Sequence, residues 1–165
     1  MSADREFHQG MQEGLARLDS ALNPHLRGWT PAQRMLRQQL LAYRRSYHDY
    51  FSWCKVTPWF DAEGRWHWDR SPAQDVWSGH SPADRRDALD ALKDLEQLCR
   101  AHGEPSPLAA TLIMRARLLA AFEGSGAAER TLALAEEALR LARVTGALEL
   151  VRDIERFLHE ERAAR

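Results

Sequence analysis

The chain has 165 residues, of which 44% are hydrophobic and 28% are charged, and its formal net charge is −1 at pH 7. This balance is typical of a folded protein, and a chain of this length buries roughly 70% of its unfolded surface, so we expect one domain. The near-neutral charge argues against nucleic-acid binding, which requires a basic surface. No run of 18 apolar residues occurs, so we expect no membrane span and no membrane partner.

Cysteine usage and the N-terminal composition bear on the compartment. Cys54 and Cys99 are the two cysteines, and so sparse a pair forms neither a disulfide framework nor a zinc site, which is typical of a reducing compartment. The first ten residues are polar and include acids, unlike a secretory signal. All basic residues except Lys55 and Lys93 are arginines, a bias typical of GC-rich bacterial genomes. We therefore expect a cytoplasmic bacterial protein.

Recurring start and stop residues divide the chain into helices. A hydroxyl residue that can cap a helix, followed by a proline suited to the first helical position, occurs at Thr30, Ser71, Ser81 and Ser106. Glycines expected just beyond helix ends occur at Gly79, Gly103, Gly124 and Gly146. Together these residues predict helices over 3–22, 31–54, 72–78, 82–102, 107–123, 127–144 and 147–163.

Apolar periodicity predicts how these helices pack. The first helix has one apolar stripe, formed by Phe7, Met11, Leu15, Leu18 and Leu22. The helix over 82–102 has another, formed by Leu89, Leu92, Leu95, Leu98 and Cys99. Helix 107–123 is apolar on all sides, so we expect it to be the most buried element. Helix 127–144 confines its charges to a sector of roughly 140°, and its remaining surface is wide enough to contact two neighbours.

A resemblance to a known repeat family covers the C-terminal part of the chain. Residues 112–145 resemble one tetratricopeptide repeat, a helix–turn–helix unit of roughly 34 residues. The matching positions are Leu118, Phe122, Gly126, Ala138, Leu139 and Leu141. Arg115 departs from the pattern, because the repeat has a large aromatic residue there. With its flanking helix the resemblance extends over roughly 107–163, and it implies stacked helix pairs that bind a protein or peptide, without catalysis.

Ten of the 14 aromatic residues lie between residues 43 and 77, and they form two groups. The tyrosines continue the apolar stripe of helix 31–54, so we expect them in the core. The tryptophans surround a segment in which aromatic residues alternate on both sides of Gly64. This pattern predicts a small aromatic β-hairpin near 57–69. A lone two-stranded hairpin is marginal in water, so it has to bury one face on the helices, and its tryptophans belong either to the core or to an exposed contact patch.

The predicted fold is therefore all-α. It is a helical bundle of stacked helix pairs, tetratricopeptide-like in its C-terminal part, with the small aromatic hairpin inserted. A single helical domain spans 1–165, with N-terminal helices in 1–54, a tryptophan-rich insert in 55–80 and tetratricopeptide-like helices in 81–165.

No catalytic motif accompanies this architecture. The sequence has no G-x-S-x-G elbow, and its histidines, cysteines and acids lack the spacing of zinc ligands. We therefore assign no catalytic residue, no metal site and no cofactor. Whether the chain is an enzyme stays undecided, and the absence of a motif favours a role without catalysis.

The tryptophan-rich insert carries the functional hypotheses. We predict that a partner or ligand is bound by Trp53, Trp59, Trp66, His67, Trp68 and Trp77. Tryptophan is enriched among the residues that dominate binding energy at interfaces. The leading hypothesis is a protein–protein interaction module (an adaptor, a chaperone-like protein or a regulatory subunit) that binds a peptide or partner protein. One alternative is a small-molecule-binding or enzymatic helical domain with a pocket lined by these residues. Another is self-association into a homo-oligomer through the aromatic face.

Overall fold

The computed structural model describes residues 2–22, 30–32, 35 and 81–164, together with the backbone of 59–60 and 66–67. The helices of this part of the chain are α1 (Ser2–Leu22), α2 (Pro82–Ala101), α3 (Pro105–Glu123), α4 (Ala128–Thr145) and α5 (Leu148–Ala163). A 3-10 turn over Gly124–Ala127 joins α3 to α4. Two short strands are β1 (Trp59–Phe60) and β2 (Trp66–His67). The predicted all-α class is confirmed.

Helix ends follow the local rules that the sequence displays. α2 begins at Pro82, and Ser81 caps the helix: Ser81 Oγ accepts a hydrogen bond of 3.1 Å from the backbone N–H of Asp84. α4 ends at Gly146, which has the left-handed conformation with φ 73° and ψ 22°. The N–H of Ala147 then reaches back to the carbonyl of Ala142 at 3.0 Å, so a Schellman-type closure satisfies the last turn. Of the predicted helix over 31–54, residues 31, 32 and 35 are described, and they are helical.

The predicted start of α3 at Pro107, with Ser106 as its cap, is wrong. The helix begins at Pro105, and Leu108 N–H donates to the carbonyl of Glu104 at 3.2 Å. Pro105 takes the first helical position and Pro107 the third, where a backbone N–H has no partner within the helix. Both prolines are therefore tolerated in the first turn, and the helix gains two residues over the predicted one.

α1 and α2 pack antiparallel, although a long stretch of chain separates them. Phe7 in the first turns of α1 lies beside His102, which follows α2, with ring centroids 5.4 Å apart. At the opposite end, Arg17 of α1 reaches Asp87 near the start of α2. The buried face of α1 contains the whole predicted stripe, joined by Ala21.

The predicted stripe of α2 is only partly correct. Leu92, Leu95 and Cys99 are buried, whereas Leu89 and Leu98 are half-buried at the edges of the stripe. Ala88 and Ala91 lie at its centre and are fully buried. Small side chains let neighbouring helices approach closely, and these two alanines are as fully enclosed as Leu92 and Cys99.

From α2 onwards, successive helices are antiparallel neighbours, as short connections favour. The Arg85 guanidinium at the start of α2 lies 5.2 Å from the ring centroid of Phe122 at the end of α3. Among the described helices α3 has the most buried residues, eleven, as the sequence predicts for it. α4 contacts both α3 and α5, which confirms the two-sided packing predicted for it. Its most enclosed positions are Thr131, Ala135, Ala138 and Ala142.

The two strands pair antiparallel, with Trp59 opposite His67 and Phe60 opposite Trp66. They lie within the segment for which the sequence predicts a hairpin. The outer parts of that predicted hairpin, and the predicted helix over 72–78, fall outside the described residues. None of the described helices has the length and apolarity needed to cross a membrane.

Candidate functional site

The six residues predicted to bind a partner belong to the segment between α1 and α2. Trp59 in β1 and Trp66 and His67 in β2 are brought together by strand pairing. Residues opposite each other on antiparallel strands have Cα atoms roughly 4.5–5.5 Å apart. Trp53, Trp68 and Trp77 lie outside the described residues. The strand pair therefore joins half of the predicted site into one two-stranded unit.

A groove that the sequence did not reveal lies between α1 and α2. It has a volume of about 330 Å³ and is open to solvent, and it is lined by Gly10, Glu13, Gly14, Arg17, Ala91, Asp94, Leu95 and Leu98. Gly10 and Gly14 stand one turn apart on the α1 face that meets α2. A Cβ atom would lie 2.7 Å from Leu98 Cδ2 at Gly10, and 2.5 Å from Leu95 Cδ2 at Gly14. The floor is therefore apolar, formed by glycine backbone and leucine side chains.

The rim of this groove is acidic. Arg17 is held by two carboxylates, through Nε and Nη2 to Asp87 Oδ1 at 2.9 and 2.7 Å and through Nη1 to Asp94 Oδ2 at 3.0 Å. The hydrogen bond to Asp87 raises the pKa of Arg17, burial opposes this, and the charges of Asp87, Asp94 and Asp90 raise it further. Glu13 accepts a hydrogen bond from the neutral amide of Gln9 at 3.0 Å. Three carboxylates, those of Asp87, Asp90 and Asp94, thus act on the Arg17 guanidinium, and Glu13 adds a fourth acid to the lining of the groove.

A second polar cluster connects α2, α3 and α4. Glu96 of α2 binds Arg115 of α3 at 2.8 Å and Arg100 of its own helix at 3.5 Å. Arg100 in turn binds Glu137 of α4 at 2.9 Å, and Glu137 lies 3.8 Å from Arg140. The hydrogen bond to Glu137 raises the pKa of Arg100. Because acids and bases alternate along this cluster, it has little residual charge to attract a ligand, and it serves to connect three helices.

The Cys99 thiol is unsuited to nucleophilic chemistry. It is fully buried, with its Sγ 3.8 Å from Met11 Sδ. Burial raises the pKa of Cys99 to about 11, although a hydrogen bond with Thr111 lowers it in part. At neutral pH the group is a thiol rather than the reactive thiolate. Cys99 therefore contributes to the core between α1, α2 and α3.

The described side chains offer no candidate metal centre. Among them, no three His, Cys, Asp or Glu residues are grouped so that they could hold a metal ion. The two glycines that form the groove are visible in the sequence as a pair four residues apart inside a helical stripe, which is the signal that could have located it. The chain matches no protein-family model, no curated protein and no solved structure.

Proposed function

We propose that the protein is an interaction module that binds a peptide or partner protein, as an adaptor, a chaperone-like protein or a regulatory subunit. The observation that carries the proposal is the antiparallel series α2–α5, in which each helix packs on its neighbours in sequence. Proteins built from stacked helix pairs present extended surfaces that bind other proteins. No enzymatic centre competes with this role among the side chains that the structure describes.

The contacts of α5 support a tetratricopeptide-like arrangement of α3, α4 and α5. α5 binds α4 through Arg162 and Glu136 at 3.0 Å. It also binds α3, because Arg117 pairs with Asp153 at 2.6 Å and lies 5.7 Å from the ring centroid of Phe157. Stacked repeats bury their apolar faces against the next unit. In our proposal α3 and α4 form one helix pair, and α5 is the first helix of a second pair.

The tryptophan-rich segment is the proposed contact element. Trp59, Trp66 and His67 belong to one strand pair, and a two-stranded ribbon needs support from neighbouring structure. Tryptophan provides a large contact area together with a polar N–H. We infer that the aromatic hairpin predicted at 57–69 supplies the dominant contacts to the partner, with the helices as its scaffold.

Affinity capture from the native host tests this function. The tagged full-length chain is compared with W59A/W66A and with Leu148→Ala, which truncates an exposed apolar residue on α5 as a matched control. We expect one protein to co-purify in stoichiometric amount with the wild-type chain and the control, and to be lost from W59A/W66A. Circular dichroism verifies that all three chains remain helical.

Two outcomes would contradict the proposal. The first is a wild-type chain that retains no protein, while thermal-shift screening finds a metabolite that stabilises it specifically; this favours the ligand-pocket alternative. The second is a wild-type molar mass in solution that exceeds the 18.9 kDa of one chain, together with a W59A/W66A variant that has the molar mass of a monomer. That result assigns the aromatic segment to self-association.

A further inference from the structure

We propose that the groove between α1 and α2 binds a basic segment of a partner protein, one that places an arginine or lysine next to an aliphatic side chain. This inference rests on the proposed interaction function and assigns it a second contact surface. The groove lies on helices outside the tryptophan-rich segment, so the two surfaces can be tested separately.

The size of the groove limits what it can hold. Its volume of about 330 Å³ is at the lower end of the range of roughly 300–1,000 Å³ found for sites that enclose a whole small ligand. It is also open to solvent, so it cannot exclude water from a metabolite on all sides. Its dimensions suit one or two side chains of a longer segment that continues across the surface.

The floor provides the apolar part of the recognition. Gly10 packs directly against Leu98 and Gly14 against Leu95, so backbone and leucine side chains form a continuous floor in which Leu98 is half-buried. A bound aliphatic side chain would contact this leucine and the exposed backbone of α1. Burial of apolar surface stabilises such a contact by roughly 25 cal/mol per Å², which favours an aliphatic side chain over a polar one.

The acidic rim favours the binding of a positively charged side chain. Glu13 stands on the α1 side and Asp94 on the α2 side of the groove, with Asp87 and Asp90 close enough to act on Arg17. Arg17 is bound to Asp87 and Asp94, and its single positive charge is outnumbered by the carboxylates of Glu13, Asp87, Asp90 and Asp94, so these five groups together keep a net negative charge. An incoming guanidinium or ammonium between the two sides would form charge-assisted hydrogen bonds with carboxylates of both helices.

The test uses a fluorescent, end-capped peptide of about 18 residues made of leucine and lysine, long enough to form a helix. Its leucines occupy one face, and a second peptide has glutamate in place of lysine. The protein variant is E13Q/D90N, which removes the charge of the lining residue Glu13 and that of Asp90 near Arg17, and leaves both ion-pair partners of Arg17 in place. The matched control is E129Q/E160Q, which removes two exposed charges on α4 and α5. Binding is measured by fluorescence anisotropy.

The expected result is a Kd for the lysine peptide that rises roughly fivefold in E13Q/D90N and stays within about twofold of wild type in the control. The charge reversal Glu13→Lys is expected to weaken binding further. Added salt should weaken binding to the wild-type chain more than to E13Q/D90N, because it screens the rim charges. The glutamate peptide should not bind.

Several outcomes would overturn the inference. Equal affinity for wild type and E13Q/D90N, or an equal loss in the control, would show that the peptide does not use the groove. Displacement by an equimolar amount of spermidine would assign the groove to small polycations. A dimer that E13Q/D90N dissociates would assign it to a second copy of the chain. If a captured native partner is lost by W59A/W66A but retained by E13Q/D90N, the groove inference fails while the proposed function stands.

Discussion

Gly14 of α1 lies against Leu95 of α2 so closely that a Cβ atom at position 14 would stand 2.5 Å from Leu95 Cδ2 and 2.8 Å from Leu95 Cγ. Leu95 is buried in the core, so its side chain cannot turn out into solvent to make room. Replacing a helical glycine by alanine ordinarily stabilises a helix by about 1 kcal/mol. The overlap at this site costs about 1–3 kcal/mol, so we expect Gly14→Ala to lower the free energy of unfolding in urea.

Gly126→Ala is the matched control for this prediction. Gly126 lies in the turn between α3 and α4, has no positive φ, and has no atom within 4 Å of a Cβ placed on it. We expect the same substitution to change stability there by less than about 0.5 kcal/mol. A Gly14→Ala chain that is more stable than wild type would show that α1 and α2 do not approach as closely as described.

A pH-dependent loss of stability is expected from Cys99. Its folded pKa of about 11 exceeds the ordinary value of 9.0 because burial disfavours the thiolate. The protonated Cys99 thiol therefore contributes its full share of stability below pH 9, and this contribution is lost as the pH rises from 9 to 11. Between pH 8 and pH 10 the contribution from this residue falls by roughly 1 kcal/mol. The measurement is urea unfolding of wild type and Cys99→Ala at both pH values. Between pH 8 and pH 10 the free energy of unfolding should fall by roughly 1 kcal/mol more in wild type than in Cys99→Ala.

The comparison with Cys99→Ala isolates this thiol, because every other titratable group is the same in the two chains. Alkylation followed by peptide mapping gives a second readout. Cys99 should resist iodoacetamide at pH 8 in the folded chain and react once urea unfolds it. Identical pH profiles for the two chains would contradict the assignment of Cys99 to the core in its protonated form.

Local rules explain which features of the fold could be predicted from the sequence. The α1 stripe from Phe7 to Leu22 is buried as predicted because its spacing follows one helical face. The ends at Pro82 and Gly146 follow from the backbone preferences of those residues. The Gly10–Gly14 groove and the pair between Arg115 and Glu96 depend on how one helix is placed against another. That placement is set by the whole core, so the spacing of Gly10 and Gly14 indicates a close contact on α1 without identifying the helix that makes it.

Arg115 shows this limit clearly. In the tetratricopeptide resemblance a large aromatic residue is expected at its position, and the sequence alone gives no reason for the substitution. In the structure the guanidinium reaches Glu96 on α2 at 2.8 Å. The partner is 19 residues away on another helix, so a periodicity within one helix could not identify it.

Two buried threonines should respond oppositely to the same substitution. Thr131 and Thr111 are both fully buried, but Thr131 Oγ1 has no hydrogen-bond partner, whereas Thr111 Oγ1 donates to the Pro107 carbonyl at 2.8 Å. Valine has nearly the same shape and removes the hydroxyl. We expect Thr131→Val to be neutral or to stabilise by up to about 1 kcal/mol, because it removes an unpaired buried polar group. Thr111→Val should destabilise by about 1 kcal/mol, because it removes a formed hydrogen bond.

Thermal unfolding of the two valine variants beside wild type decides this prediction. The difference in stability between them should be at least as large as the effect of Thr111→Val alone. If Thr131→Val destabilises as much as Thr111→Val, then the Thr131 hydroxyl has a partner in solution, such as a buried water, and the expectation is wrong.

Glu96 binds both Arg115 and Arg100, so we expect its carboxylate to contribute more to stability than the other acids of the cluster that connects α2, α3 and α4. The side chains of Glu96 and Arg115 are only 16% and 20% exposed, so water screens their interaction weakly. Glu96→Gln keeps the shape but leaves the Arg115 charge partly buried without its carboxylate. Since removing one partner of a buried pair is costly, we expect a loss of about 1–2 kcal/mol in the free energy of unfolding.

Glu123→Gln is the control for the loss of one carboxylate from an exposed pair. Glu123 binds Arg130 at 2.6 Å, and their side chains are 41% and 63% exposed. Exposed pairs contribute roughly 0–1 kcal/mol, so this variant should unfold within about 0.5 kcal/mol of wild type. In chemical denaturation, Glu96→Gln should therefore lose clearly more stability than Glu123→Gln. Equal losses would mean that solvent screens the cluster between α2, α3 and α4 as strongly as a surface pair, and Glu96 would then have no special part in connecting these helices.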